Sequence, residues 1–361
     1  MGKETDISWC DHTFNHVIGC EKVSEGCRNC YASVSTPVRV AGKIGLKLWG
    51  GESTGAVRRV ASESMWKEPI KWNKQAEKEG KRKRVFCASL ADVFERFDGD
   101  IVDSHGNKLY LNLREDEKDD WWHTENTGLG VDLDSVRARL FDVIGLTPWL
   151  DWLLLTKRPE NVMDMAPTLW KQFGFPFNVW MGTTVENQDY AEQRIPHLLS
   201  IPAKVRFLSV EPMLGEVNVP HVIAADGDSA SKGTMHWMGI DAGINWVICG
   251  GESGDKARPM HPDWVRHLRD QCVAAGVAFH FKQWGNWLPF TDKYPGVNKA
   301  MNGEGSPMFL ESIRVDGKVY TDVMYDPGDN DIVYANVGKK VAGRQIDGRT
   351  WDEVPNWKGK K

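Results

Sequence analysis

The amino-acid sequence predicts an α/β protein, a partial (β/α) barrel followed by a small β-rich extension. Three observations carry that expectation. Short apolar runs recur through the middle of the chain, the segments between them can each hold a helix, and beyond Trp287 the composition shifts toward Gly and polar residues. A chain of 361 residues is long for one domain but ordinary for an α/β barrel with insertions.

Taken in order, Val17–Gly19 reads as the first strand, and a cysteine-rich loop follows it. Tyr31 to Val40 reads as a helix stopped near Gly42, residues 43–60 as a hairpin, and Ser62 to Glu79 as a helix broken at Pro69. The runs continue at Val85–Leu90, Trp152–Thr156, Val179–Thr183, Val205–Ser209, Trp246–Gly250 and Ala278–Lys282. Strands without polar alternation are buried on both faces, as in a parallel sheet. Helices fit between them at Asn161–Met165 with Thr168–Phe173, at Asn187–Leu199 and at Asp263–Ala275. In the last, Val265, Leu268, Cys272 and Val273 recur at helical spacing. No Gly-x-Gly-x-x-Gly follows the first strand, which favours a TIM-like barrel over a dinucleotide-binding sheet. Residues from about 95 to 136, with the acidic run Arg114–Asp120, read as an insertion in a barrel spanning residues 1–290. Residues 291–361 form the extension, where Asp316-Gly317 signals one hairpin turn and Gly338–Trp351 reads as another hairpin.

Composition narrows the function. A formal charge of −5 argues against a surface coated for non-specific nucleic-acid binding, though it leaves room for a local basic groove. The chain has no apolar run of about 18 residues, so no membrane partner is expected. Met1–Asp6 is no signal peptide, and the expected location is the cytoplasm. Thiols are kept reduced there, so seven cysteines suggest metal or catalysis before disulfides. Cys87, Cys249 and Cys272 sit in apolar surroundings and read as core. The basic run Lys81–Arg84 reads most simply as a solvated helix end. Its alternative is a nucleic-acid contact, with Trp284 and Trp287 available for base stacking.

The remaining signal is Cys20, Cys27 and Cys30, three soft ligands within eleven residues. Such a loop can hold a metal or an iron–sulfur cluster and leave one coordination position open. A structural zinc site needs a fourth ligand, for which Cys10, His12 or His16 are candidates. A three-cysteine [4Fe–4S] cluster leaves one iron free for an exogenous chelator. Polar residues crowd the expected carboxyl ends of the strands, the active face of a barrel. They are Ser89, Asp92 and Glu95; Thr156, Lys157 and Arg158; Thr183, Thr184, Glu186 and Asn187. Further along come Ser209 and Glu211; Gly250, Gly251, Glu252 and Ser253; and Lys282, Gln283 and Trp284. Each alone reads as readily as a helix cap or a surface charge. Together they suit a ligand with amine, carboxylate, ribose and base, such as S-adenosylmethionine (SAM).

With these residues in place the chain resembles the radical-SAM-like proteins of phages and prophages. The resemblance rests on Gly19-Cys20 with Val23–Ala32, Leu154–Glu160, Gly182–Asn187, Leu208–Pro212, Gly250–Gly254 with Ala257–Pro259, Phe281–Gly285 and Ala342–Trp351. It implies a partial barrel of the radical SAM type, a [4Fe–4S] cluster on Cys20, Cys27 and Cys30, and SAM at the free iron. SAM contacts are expected from Tyr31, Ser89, Thr184, Glu186, Glu211, Gly250, Gly251, Glu252 and Lys282, and substrate contacts from Lys157, Arg158, Gln283 and Trp284. The implied partners are a one-electron reductant of the flavodoxin or ferredoxin kind and a DNA or nucleotide substrate, in the host cytoplasm if phage-encoded. The sequence departs from the common Cys-x3-Cys-x2-Cys spacing, because six residues separate Cys20 from Cys27. Asn29 also precedes the last cysteine where an aromatic residue usually stands. The competing expectation is a zinc-stabilised, non-catalytic nucleic-acid-binding or interaction protein.

Overall fold

The computed structural model describes residues 5, 7–112, 121–219, 243–290, 310–313, 319–320 and 332–356. It shows a mixed α/β fold whose main sheet has seven strands succeeding one another in chain order. They are β1 (His12–Thr13), β2 (Lys83–Cys87), β3 (Leu150–Thr156), β4 (Val179–Thr184), β5 (Val205–Val210), β6 (Trp246–Gly250) and β7 (Ala278–Gln283). The pairings of β1 with β2, β2 with β3, β5 with β6, and β6 with β7 are all parallel. This is the strand arrangement of a partial β/α barrel. No helix among the described residues is long and apolar enough to cross a membrane.

The chain divides into two compact units. The first comprises Met1–Gly182, Ile201–Lys204 and Gly359–Lys361, and the second Thr183–Ser200 and Val205–Lys358.

In the first unit the strand that opens the sheet is not the expected one. His12–Thr13 takes that place, while Val17–Ile18 pairs antiparallel with Arg58–Val60. Arg58–Val60 in turn pairs parallel with Ile101–Val102, completing a separate three-stranded sheet. Residues 43–60 therefore form no hairpin of their own, because their strand is used by segments on either side in sequence. The expected insertion also shrinks. Ile101–Val102 belongs to that small sheet, and α3 (Leu133–Gly145) is a helix of 13 residues capped by Asp132, whose side chain accepts the Ser135 N–H. The acidic run Arg114–Asp120 lies outside the described residues.

Two earlier helices follow the sequence more closely. Tyr31–Val34 is a single 3₁₀ turn, and α1 (Thr36–Lys43) starts afresh with Pro37 in its first turn, where a missing N–H costs nothing. Glu63–Trp66 and α2 (Glu68–Glu79) are separated next to Pro69 as expected. Cys10 and His16 are buried, and His12 stacks on Trp72 with ring centroids 4.4 Å apart. Lys81–Arg84 is neutralised locally, with Arg82 on Asp151 and Lys83 on Glu79.

In the second unit α4 (Gln188–Ser200) and α5 (Pro262–Ala274) match the predicted helices, and α5 buries Val265, Leu268 and Cys272. The extension is built into this unit rather than standing apart from residue 291. Residues 343–353 lie along β7, where Phe281 N–H donates to Trp351 O and Glu353 N–H to Phe279 O. Within that segment Gln345–Ile346 and Arg349–Thr350 form the expected hairpin. Leu310–Ile313 and Val319–Tyr320 also pair antiparallel, with the Asp316-Gly317 turn outside the described residues.

Candidate functional site

In the first unit the cysteine loop is held by a buried network of charges. Gly19 precedes Cys20 with φ +124°, and a Cβ there would sit 2.5 Å from Leu48 O, so only glycine fits. Past it, the Glu95 carboxylate accepts the Glu21 N–H at 2.8 Å, and Arg158 Nη2 donates to Glu21 O at 3.1 Å. Both polar groups of one loop residue are thus gripped. Glu95 also receives Arg58 through two bonds of 2.8 and 2.9 Å. Arg158 is held by Asp92 at 3.0 Å, and Asp92 additionally accepts from Thr156 Oγ1 and the Lys157 N–H. All four charged side chains are buried. Two cations and two anions neutralise one another, which is what makes such burial tolerable.

The thiols border this network. Arg158 Nη1 lies 3.9 Å from Cys20 Sγ. Burial pushes the Cys20 thiol up and Glu95 adds to that, with Arg158 opposing. Burial also acts to raise Cys27, but the Lys157 charge and hydrogen bonds from Ser24 and the backbone outweigh it, so this thiol falls below its ordinary value. Cys30 is raised, first by burial and also by the neighbouring Cys27. Of the expected substrate residues, Arg158 therefore lies beside Cys20, while the Lys157 charge favours the thiolates of Cys27 and Cys30. Tyr31 O–H donates to Ser89 O at 3.2 Å, and the Ser89 hydroxyl is bonded to Asn15, so Tyr31 and Ser89 form part of the loop's support.

Among the described residues no three His, Cys, Asp or Glu side chains stand ready as a metal-ligand set. The donor chemistry nevertheless fits an iron–sulfur cluster. All seven cysteines are unbridged, three of them occupy one loop, and Arg158 stands 3.9 Å from one of those thiols.

The second unit holds the other expected residues in separate pairs. Glu186 is buried against Arg194 at 2.7 Å, and Arg194 also donates to Thr184 O. Glu252 is paired with Arg258 at 2.8 Å. Glu211 receives Lys282 at 2.6 and 2.9 Å, and this pair retains partial exposure. Gln283 Nε2 donates to Gly251 O at 3.2 Å, while its Oε1 is buried with no hydrogen-bond partner. Two expectations are corrected here. Gly251 does not leave room for a ligand, because a Cβ on it would collide with the Trp284 carbonyl; it is the close packing of β6 on the residues after β7 that requires glycine. Trp284 is no stacking platform. It is 1% exposed, and its indole N–H is committed to Gln345 O at 2.8 Å. Trp287 is likewise buried, bonded to Ala257 O.

Arg58 and Asn15 were not singled out from the sequence. Arg58 opens a strand of three residues next to a second arginine, Arg59, and its partner Glu95 is 37 positions away, so no local pattern marks it.

Fold and site together define an α/β protein of the partial-barrel kind that carries a three-cysteine loop on a buried charge network. The chain belongs to the family described as "Protein of unknown function (DUF5131)", which matches residues 4–123 and 120–355. No curated protein and no solved structure matches it.

Proposed function

We propose that this protein is a radical SAM enzyme whose Cys20, Cys27 and Cys30 hold a [4Fe–4S] cluster with one iron open to SAM. The observation that carries the reading is three unbridged thiols on one loop, with Arg158 3.9 Å from the first of them. When bound, the cluster supplies one-electron cleavage of SAM to methionine and a 5′-deoxyadenosyl radical that abstracts hydrogen from substrate. The chain's own residues fix the loop: Glu95 and Arg158 grip Glu21, and Gly19 sets the turn into Cys20. In the second unit Glu211 and Lys282 are a partly exposed pair of opposite charge, the chemistry that a zwitterionic amino-acid moiety requires. Of the carboxylates expected to contact SAM, Glu211 is the most exposed. The substrate class we favour is a nucleobase of the thymine type in DNA or a nucleotide, with Lys157 as charge for a phosphate, since Arg158 is committed to the loop's mount.

Anaerobic reconstitution should give iron and sulfide near about four each per chain. Cys27→Ala should remove the visible absorbance, and an unchanged spectrum would sink the assignment. DNA or nucleotides should raise the yield of 5′-deoxyadenosine. The second reading, a zinc-stabilised non-catalytic protein, draws on the Cys27–Cys30 pair, whose thiols influence each other directly. It predicts a colourless preparation with about one zinc per chain and no SAM cleavage.

A further inference from the structure

One face of the first unit combines an apolar floor with a rim of carboxylates. A groove of about 610 Å³ opens between residues 96–98, α3 and residues 164–167. Phe97, Leu133, Phe141 and Met165 form its floor, and the first three are buried. Around it stand Asp98, Asp132, Asp134, Asp142 and Asp164 against Arg96 and Arg137, five carboxylates to two cations. Both cations are engaged already. Arg137 donates to Val93 O and Glu95 O and pairs with Asp134, while Arg96 pairs with Asp164 at 2.8 Å. Asp132 is occupied in capping α3. That leaves Asp98 and Asp142, both exposed and, among the described residues, without a cation.

A second, independent observation puts apolar surface beside this charge. Pro167, in the groove wall, directly precedes the short helix Thr168–Phe173. Trp170 of that helix packs on Phe141 with ring centroids 4.7 Å apart, which fixes the helix to the groove. Its Leu169 and Phe173, one turn apart, stay in water at 66% and 82% exposure. Among the described residues no other large apolar side chain is as exposed as Phe173. Large apolar groups left together in water, next to a charged groove, mark a surface that a partner covers.

We propose that this face binds a basic amphipathic segment of a partner protein, one that carries lysine or arginine beside aliphatic or aromatic side chains. Asp98 and Asp142 receive its cations, and its apolar side chains cover Leu169, Phe173 and the groove floor. Charge decides among the occupants. The phosphates of nucleic acid, anionic lipid headgroups and an acidic protein all meet the carboxylate rim and are repelled. This surface is independent of the cluster reading and involves neither the cysteines nor the second unit.

The test uses the full chain, with a fluorescein-labelled amphipathic peptide of lysine and leucine as the probe. Three double variants are compared with the wild type: Asp98→Lys with Asp142→Lys, Leu169→Ser with Phe173→Ser, and the control Asp189→Lys with Glu192→Lys. The control makes the same charge change on exposed carboxylates of α4. All six positions are exposed, and thermal melts should show each variant folded. Affinity by fluorescence anisotropy at low salt should fall about tenfold or more in the groove reversal and less than about twofold in the control. The reversal should also flatten the salt dependence of binding, whereas the serine pair should weaken binding and leave that dependence intact. Saturating peptide should slow hydrogen exchange in residues 165–173 of the wild type. Equal losses in reversal and control mean general charge attraction and overturn the site. So does an affinity that neither the reversal nor the serine pair changes. If the reversal does not fold, the serine pair and the exchange pattern decide alone. Self-association of the wild type that the serine pair abolishes, with peptide affinity unaltered, assigns the face to a second copy of this chain and overturns the basic partner.

Discussion

The two units spend charged residues differently at the ends of their strands. In the first, Arg58, Glu95, Arg158 and Asp92 share partners, and each also holds backbone of a neighbouring segment. In the second, Glu186, Glu211 and Glu252 pair with Arg194, Lys282 and Arg258, each carboxylate having its own cation. A shared network fixes the position of a loop, because no member can move without unpairing another. A separate pair can open alone. The first arrangement suits a rigid mount for the cysteine loop, and the second suits groups that can change partners.

Breaking the network should give the largest effect. Glu95→Gln leaves Arg58 and Arg158 buried with one anion fewer, at a cost of about 3–5 kcal/mol. Urea unfolding measures it, and hydrogen exchange at the Glu21 amide should speed up; a loss below about 1 kcal/mol would mean that the network holds nothing. Next comes Gly251→Ala in the second unit, where the new methyl meets the Trp284 backbone. Overpacking of this kind costs about 1–3 kcal/mol, and a thermal midpoint equal to wild type would contradict the packing described.

Acid acts on both units through buried histidines, His16 in the first and His261 in the second, each held below the ordinary imidazole value first by burial. Burial, reinforced by the Arg137 charge, lowers His16 from 6.5 to about 3. The folded first unit then refuses a proton that the unfolded chain accepts. The associated stability is complete above pH 6.5 and drains away as the pH falls toward 3. The slope is about 1.4 kcal/mol per pH unit. His16→Asn should flatten the dependence in that window, and an unaltered slope would assign acid sensitivity to other groups. The smallest effect belongs to the partly exposed pair: Lys282→Gln leaves Glu211 within reach of Gln283 and should change stability by about 1 kcal/mol. If Glu211 and Lys282 hold a zwitterion, the same change should nonetheless weaken SAM binding in equilibrium dialysis.

The two units were also unequally legible in the sequence. β3 to β7 announce themselves because burial on both faces leaves continuous apolar runs such as Trp152–Leu155 and Val247–Cys249. Val17–Ile18, Arg58–Val60 and Ile101–Val102 are too short to carry any period, and their pairing depends on segments far apart in the chain. The sequence therefore points to Val17–Gly19 as the opening strand, where the structure has His12–Thr13. The cysteine loop was legible from spacing alone. Its mount was half legible: Asp92, Glu95 and Arg158 stood at expected strand ends, whereas Arg58 gave no sign. Trp284 misled for the same reason, since the carbonyl that buries it comes from Gln345, 61 positions later.

That late arrival has a consequence for how the protein is made. β7 lies at one end of the main sheet order, and the segment that bonds along it, residues 343–353, leaves the ribosome long after it. At a synthesis rate of ~5–20 residues per second the strand waits several seconds with its outer backbone groups unmet. During that interval β7 is a template for any extended chain nearby. Cotranslational chaperones should find their longest-lived target there, and the hairpin around Asp347 acts as the latch that ends the wait.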